Sequence, residues 1–104
     1  MHSISGVRFA TANAGIKSGD SEDATLILLE PETVIAGLFT SSMTRSAPVI
    51  DCQNKIGINV ANTGAAIIIN SGNANAFTGR HGELAVREIT AELSTRVQIP
   101  VERI

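Results

Sequence analysis

Apolar and polar positions change rhythm several times along the chain, and each change marks an element. Val7–Asn13 mixes apolar and small residues between Gly6 and Gly15, which predicts a first strand closed off by turns. The polar stretch Lys17–Asp23 reads as an exposed loop. Ala24–Leu29 is then a short, nearly continuous apolar run, the pattern of a buried strand. Glu30-Pro31-Glu32 breaks it, and Thr33–Thr40, with Val34, Ile35 and Phe39, predicts another strand. Only a short break separates these two runs, so an antiparallel hairpin is the simplest connection between them. Beyond the polar loop Ser41–Ser46, Pro48 reopens an extended segment through Ile50, and Asp51 is placed to cap a short helix over Cys52–Ile56.

After a loop at Asn59–Gly64, Ala65–Ile69 ends in three consecutive isoleucines. That favours a central strand buried on both faces. From Gly82 to Val97 the rhythm becomes helical, because Val86, Ile89, Leu93 and Val97 fall at spacings that align them in one stripe. Glu83/Arg87 and Glu92/Arg96 stand at i, i+4 with the acid first, the favourable order. Pro100 is expected to end this helix and Val101–Ile104 to begin an extended segment. The expected class is α+β, a layered α/β arrangement: a mixed sheet with a buried central strand and one long amphipathic helix. One helix can cover only one face of such a strand, so the chain by itself is expected to be marginal, oligomeric or prone to aggregate.

Composition narrows the picture. The 104 residues suffice for one small domain, and the 43% apolar content allows a core built from Ile, Val, Leu and Ala, since Trp and Tyr are absent. The net charge is −2, and no basic stripe appears, which points away from nucleic acid and from an acidic membrane surface as partners. Cys52 is the only cysteine, so an intrachain disulfide is impossible; this fits a reducing compartment. Met1–Ser5 carries no Lys-led apolar segment, and no run approaches the ~20 apolar residues that span a bilayer. A cytoplasmic location is expected. The acid-free stretch Ser3–Lys17 is the one feature compatible with a mitochondrial transit peptide, if the source is eukaryotic.

The candidate chemistry gathers in one place. The apolar strand Ala65–Ile69 delivers Asn70, Ser71, Gly72, Asn73 and Asn75 to the front of the helix. A polar, Gly-containing loop there exposes backbone N–H groups near the positive end of the helix dipole, a geometry suited to a carboxylate, phosphate or oxyanion. The Asn side chains add neutral donors and acceptors that could orient an amide. The same string also fits an ordinary turn with Asn in left-handed positions. It lacks the Gly-Lys-Ser/Thr of a phosphate-binding loop and the three-glycine spacing of a dinucleotide fingerprint. His2 is at a terminus expected to fray, and His81 lies in the first helical turn without metal-ligand spacing, so no metal is expected. Ser71, His81 and Asp51 form no recognisable triad, because no nucleophile elbow surrounds the serine. Cys52, placed at a helix start, would have a lowered pKa but no identifiable base. Thr40–Thr44 reads as a solvated loop, and Glu22, Asp23, Glu30 and Glu32 as solvent-facing carboxylates at turns.

Taken together, several strings resemble one family. These are Ala14-Gly15-Ile16-Lys17 followed by the Asp23-led strand, then Ala36-Gly37-Leu38-Phe39-Thr40 with Ala47-Pro48-Val49, then Ile68–Ala76 with Thr78-Gly79. They are similar, in order, to the ornithine acetyltransferases, the bifunctional glutamate N-acetyltransferases of arginine biosynthesis. The Asn-rich string is the most specific. Ser42 and Phe77 depart from the family's frequent Asn and Cys, and family members run several times longer than this chain. The resemblance implies that residues 1–104 are a single partial domain, the N-terminal part of the acetyltransferase.

It further implies a ping-pong transfer in which N-acetylornithine acetylates an enzyme threonine and glutamate then takes the acetyl group. That threonine is freed as a chain N-terminus by self-cleavage, so its own α-amine acts as base. No threonine here sits in the cleavage context, and Thr63-Gly64 and Thr78-Gly79 are not the family's oxyanion pair. No catalytic residue is therefore expected in this chain, which would be inactive without its missing C-terminal portion. No cofactor is implied, although some members use acetyl-CoA as acetyl donor. Two alternatives stay open: a non-catalytic truncated module that binds a small amino acid or a partner chain, and an amidase of the same fold.

Overall fold

The computed structural model describes residues 3–104; Met1 and His2, with the frayed terminus expected there, lie outside them. Three strands form one sheet in the order β1 (Val7–Ala12), β2 (Ala24–Leu29), β3 (Ala65–Asn70). Both pairings are antiparallel, running from Val7↔Leu29 to Ala12↔Ala24 and from Ala24↔Asn70 to Leu29↔Ala65. Helix α1 spans Ala47–Lys55, helix α2 spans Gly79–Val97, and a 3₁₀ turn, Val101–Arg103, follows. The two helices pack on each other, and the 3₁₀ turn returns against α2.

The α+β class is as expected, but the sheet is wholly antiparallel rather than mixed, and its central strand is β2. Ala65–Ile69 had been expected at the centre. It lies at an edge, with Ile67, Ile68 and Ile69 exposed by 37%, 40% and 48%. Three apolar residues in succession report apolar surroundings on both faces of a strand; they carry no information about how many hydrogen-bonded neighbours it has. The hairpin expected between Ala24–Leu29 and Thr33–Thr40 does not form, and 33–40 contains no strand. β2 has two edges, and β1 and β3 occupy both. Glu32 turns the chain away in a left-handed conformation (φ 68°).

Helix α1 begins five residues earlier than the sequence suggested, with Ser46 as N-cap and Pro48 in its first turn. The proline that suggested an extended segment is compatible with a helix there, because first-turn N–H groups have no intrahelical partner to lose. Asp51 is thus inside the helix, paired with Lys55 at 2.7 Å. In α2 the buried line includes Gly82 and Thr90, while Ile89 of the expected stripe is 52% exposed. The Thr90 hydroxyl returns its hydrogen bond to the Val86 carbonyl at 2.9 Å, so the threonine is buried without an orphaned polar atom. Glu92 and Arg96 pair at 2.7 Å; among the described residues Glu83 and Arg87 form no such bridge. α2 ends at Val97, where Gln98 adopts the left-handed conformation of a helix cap (φ 56°).

The tail expected to be extended is instead the 3₁₀ turn, and Arg103 explains why. Its guanidinium, 8% exposed, donates to the Ile58 carbonyl at 2.8 Å and the Thr33 carbonyl at 2.9 Å. One planar fork therefore pins two irregular segments to the end of α2. Few side chains share that burden, because among the described residues the buried apolar ones are only Ala65, Ala66 and Ile99. Arg103→Ala is expected to lower unfolding stability by about 2 kcal/mol, the scale of charge-assisted hydrogen bonds. Urea denaturation followed by circular dichroism measures it, and Arg103→Lys should recover little, since an ammonium cannot hold both carbonyls in the same plane.

Candidate functional site

Between the sheet and the helices runs a cleft of about 480 Å³. Its sheet side is Ala24, Ala66 and Ile68, which the register places on one face; α1 contributes Cys52 and Ile56, and α2 contributes Val86 and Ile89. Asn70, Asn73 and Asn75 bring polar groups to this largely aliphatic lining, as do Asp51 and Lys55 of α1. Of the five loop residues singled out in the sequence, the three asparagines therefore line the cleft together. Ser71 and Gly72 do not line it.

The loop is held mainly by its own side chains. Asn70 Nδ2 donates to the Asn73 carbonyl at 2.7 Å, and Asn73 Oδ1 accepts the Asn75 backbone N–H at 2.9 Å. Asn75 Nδ2 donates to the Gly82 carbonyl at 3.1 Å, while the Thr78 hydroxyl approaches Asn75 Oδ1 at 2.7 Å. Asn75, itself left-handed (φ 50°), thus ties the loop to the first turns of α2. Gly82 is required beneath it, because a Cβ there would strike the Thr78 hydroxyl. The anion cradle envisaged from the sequence is reduced accordingly: the Asn75 N–H is taken by Asn73, and the Ser71 N–H by the Asp23 carbonyl at 2.8 Å. The Asn73 side-chain NH₂ makes no hydrogen bond among the described residues and remains available at the cleft.

Asp23 had been expected to face solvent. It is 3% exposed, at the entrance to β2. Its carboxylate accepts backbone N–H groups from Ala14 at 2.6 Å, Ile16 at 2.5 Å and Lys17 at 2.9 Å, folding the Ala-Gly-Ile-Lys string into a concave nest. The Lys17 and Ala14 bonds do most to hold the carboxyl below its usual value; desolvation opposes them, and the Ile16 bond adds to them. The nest reaches the Asn-rich loop directly. Gly72 (φ 97°) has the Lys17 side chain so close that a Cβ would lie 2.6 Å from Lys17 Cγ. The sequence signal was present, an aspartate between a polar loop and an apolar strand, but the same pattern describes many solvated turn residues.

Cys52 lies in the middle of α1 rather than at its start, so no helix terminus lowers its pKa. Although the residue is exposed, desolvation of the sulfur pushes the thiol up, with the Asp51 carboxylate adding and Lys55 opposing. Among the described residues no three His, Cys, Asp or Glu side chains gather as a metal site, and no helix is long and apolar enough to cross a membrane.

A model of the ArgJ family matches residues 8–104. The chain belongs to the ArgJ family. It is 48% identical over 101 residues to the arginine biosynthesis bifunctional protein ArgJ of Ruegeria pomeroyi, covering 97% of this chain and 24% of that one. With the Bartonella henselae ArgJ it shares 41% over 99 residues, covering 95% and 23%. The chain thus spans about a quarter of the length of the curated ArgJ relatives it matches. Its fold is similar to the crystal structure of ArgJ from Bacillus halodurans, with a TM-score of 0.83 at 26% identity, covering 95% of this chain and 50% of that one. It is also similar to ornithine acetyltransferase from Mycobacterium tuberculosis, solved in complex with ornithine: TM-score 0.77 at 32% identity, covering 95% and 53%. The membership suggested by the Asn-rich string and the α+β class both stand.

The Asp23 nest gives this ArgJ chain a defined response to acid. The folded-state pKa lies below the ordinary 3.8, so its stabilisation is complete above that value and is lost as the pH falls through the lower, folded-state pKa. The protection of the Ala14, Ile16 and Lys17 amides against hydrogen exchange, relative to the free-peptide rate at each pH, should therefore fall only below about pH 4. In Asp23→Asn, which can offer a single neutral acceptor, those amides should exchange fast at neutral pH with no acid step.

Proposed function

We propose that this chain is the N-terminal part of an acetyltransferase of arginine biosynthesis, which moves an acetyl group from N-acetylornithine to glutamate. The observation that carries the reading is that the family's most specific string, Asn70–Ala76, supplies three side chains to one apolar cleft. Its chemistry suits the substrates. A neutral amide at the rim of an aliphatic pocket can donate to an acetamide or carboxylate oxygen without placing a charge beside the methylenes.

Within the loop the asparagines divide the work. Asn75 spends its amide on Thr78 and Gly82 and so shapes the loop. Asn73, whose NH₂ is not engaged, is the one to touch substrate, and Asn70 holds Asn73 in place through its carbonyl. The nucleophilic threonine and its α-amine base belong to the part of the protein this chain does not span. The residues here bind and orient, and the chain by itself carries out no transfer.

The test joins this chain to the remaining three quarters of the Ruegeria pomeroyi protein. The chimera should release ornithine from N-acetylornithine when glutamate is supplied, and the isolated chain should release none. Product from the isolated chain would refute the absence of the nucleophile, and release without glutamate would favour an amidase. In the chimera, Asn73→Ala should raise KM about tenfold, the scale of one lost hydrogen bond to a charged oxygen, and lower the melting temperature only slightly through its lost bond to the Asn75 N–H. Asn75→Ala should lower the melting temperature more, because it loses its bonds to both Gly82 and Thr78. Unaltered kinetics and stability in both variants would remove the loop from the site.

A further inference from the structure

Lys17 leaves the Asp23 nest by way of the Asn-rich loop. Its backbone N–H is fixed on the Asp23 carboxylate at 2.9 Å, and its stem runs across Gly72. A Cβ built on Gly72 would lie 2.6 Å from Lys17 Cγ and 3.4 Å from Lys17 Cε, so the ammonium, one bond further on, is held at the loop. Lys17 and Gly72 stand just outside the cleft, but the residues beside them, Ile16 and Asn73, both line it. Among the described residues the ammonium has no ion pair and no hydrogen bond. The cations of the cleft wall are, by contrast, occupied. Lys55 is paired with Asp51 at 2.7 Å, and Arg103 donates to the Ile58 and Thr33 carbonyls.

We propose that Lys17 is a specificity-determining residue that binds the α-carboxylate of the amino-acid substrates, with the free Asn73 amide donating to the same group. The proposal rests on the reading of this chain as part of an acetyltransferase. In a ping-pong transfer one nucleophile meets N-acetylornithine and then glutamate, so the two α-nitrogens occupy the same place in turn. The α-carboxylate stands on the carbon next to that nitrogen in both molecules, whereas their side chains end in an amine and an acid. A single fixed cation for the shared carboxylate therefore serves both half-reactions; one for the side chain would serve only glutamate. An ammonium and a neutral amide suit the two oxygens of a carboxylate, and the Gly72 contact restrains the lysine stem before substrate arrives.

Calorimetric titration of the chimera described above tests this with two ligands: ornithine, and 1,4-diaminobutane, which is ornithine without its carboxylate. Lys17→Met keeps the stem over Gly72 and removes the charge. It should weaken ornithine binding about tenfold, the scale of one charge-assisted hydrogen bond, with the melting temperature unchanged. It should not weaken the diamine, because a dication gains when a neighbouring cation is removed. Lys17→Arg, which keeps the charge, should restore most of the ornithine affinity. Ornithine binding that does not change in Lys17→Met would overturn the proposal. So would equal weakening of both ligands, which would mark Lys17 as structural, or a wild-type chimera with no measurable affinity for ornithine. A chimera that binds ornithine through Lys17 but transfers no acetyl group would sink the proposed activity and leave this site standing. Transfer with a KM for both substrates that ignores Lys17→Met would do the reverse.

Discussion

The buried carboxylate of Asp23 is the constraint on which the arrangement of the candidate site depends. A carboxylate removed from water needs donors, and here the loop amides of Ala14, Ile16 and Lys17 supply them. Meeting that need fixes the path of Ala14–Lys17 at the mouth of the sheet. The same residue's backbone carbonyl receives Ser71, and Lys17 closes over Gly72. One side chain thereby joins the β1–β2 connection to the loop after β3, and the Asn-rich string inherits its position from β2 as well as from its own hydrogen bonds. A neutral residue at this position would leave the nest amides without their common acceptor.

The rest of the architecture follows from a core that is thin. Small residues, Ala65 and Ala66, are the most buried apolar ones, and among the described residues no large side chain is fully buried. Polar anchors carry an unusual share of the long-range order. Arg103 gathers the segments around Thr33 and Ile58, and Asn75 fastens the loop to α2. Burying a guanidinium is worthwhile only where fixed carbonyls await it, and irregular segments leave backbone carbonyls unpaired in a way that strands do not.

Much of this was legible in the sequence, for identifiable reasons. β2 and β3 announced themselves by β-branched apolar runs, α2 by its 3.6-residue period, and family membership by the string from Asn70 to Ala76. The errors have equally specific causes. Pro48 is compatible with both an extended segment and a first helical turn, and only the packing of α1 on α2 selects the helix. Thr33–Thr40 has strand-like residues, but strand formation needs a free partner edge, and β2 had none left. Asp23 looked like a surface charge, and nothing marked Arg103 for burial, because burial of a charge depends on partners far away in sequence, 70 residues for Arg103 and Thr33.

What the sequence by itself determined was therefore local and chemical: which segments could be strands or helix, which loop carried unusual chemistry, and which family that loop belongs to. Periodicity, propensity and motif act within a few residues, so they survive without knowledge of the fold. The tertiary structure decided which strand is central, that α1 starts at Ala47, that three asparagines meet at one cleft, and that Asp23 holds the loop beside them. Those outcomes depend on which edges, faces and carbonyls are already taken. Asn70–Ala76 could be recognised from its order of residues alone, but its division into a fastening Asn75 and an available Asn73 exists only once the hydrogen bonds are assigned.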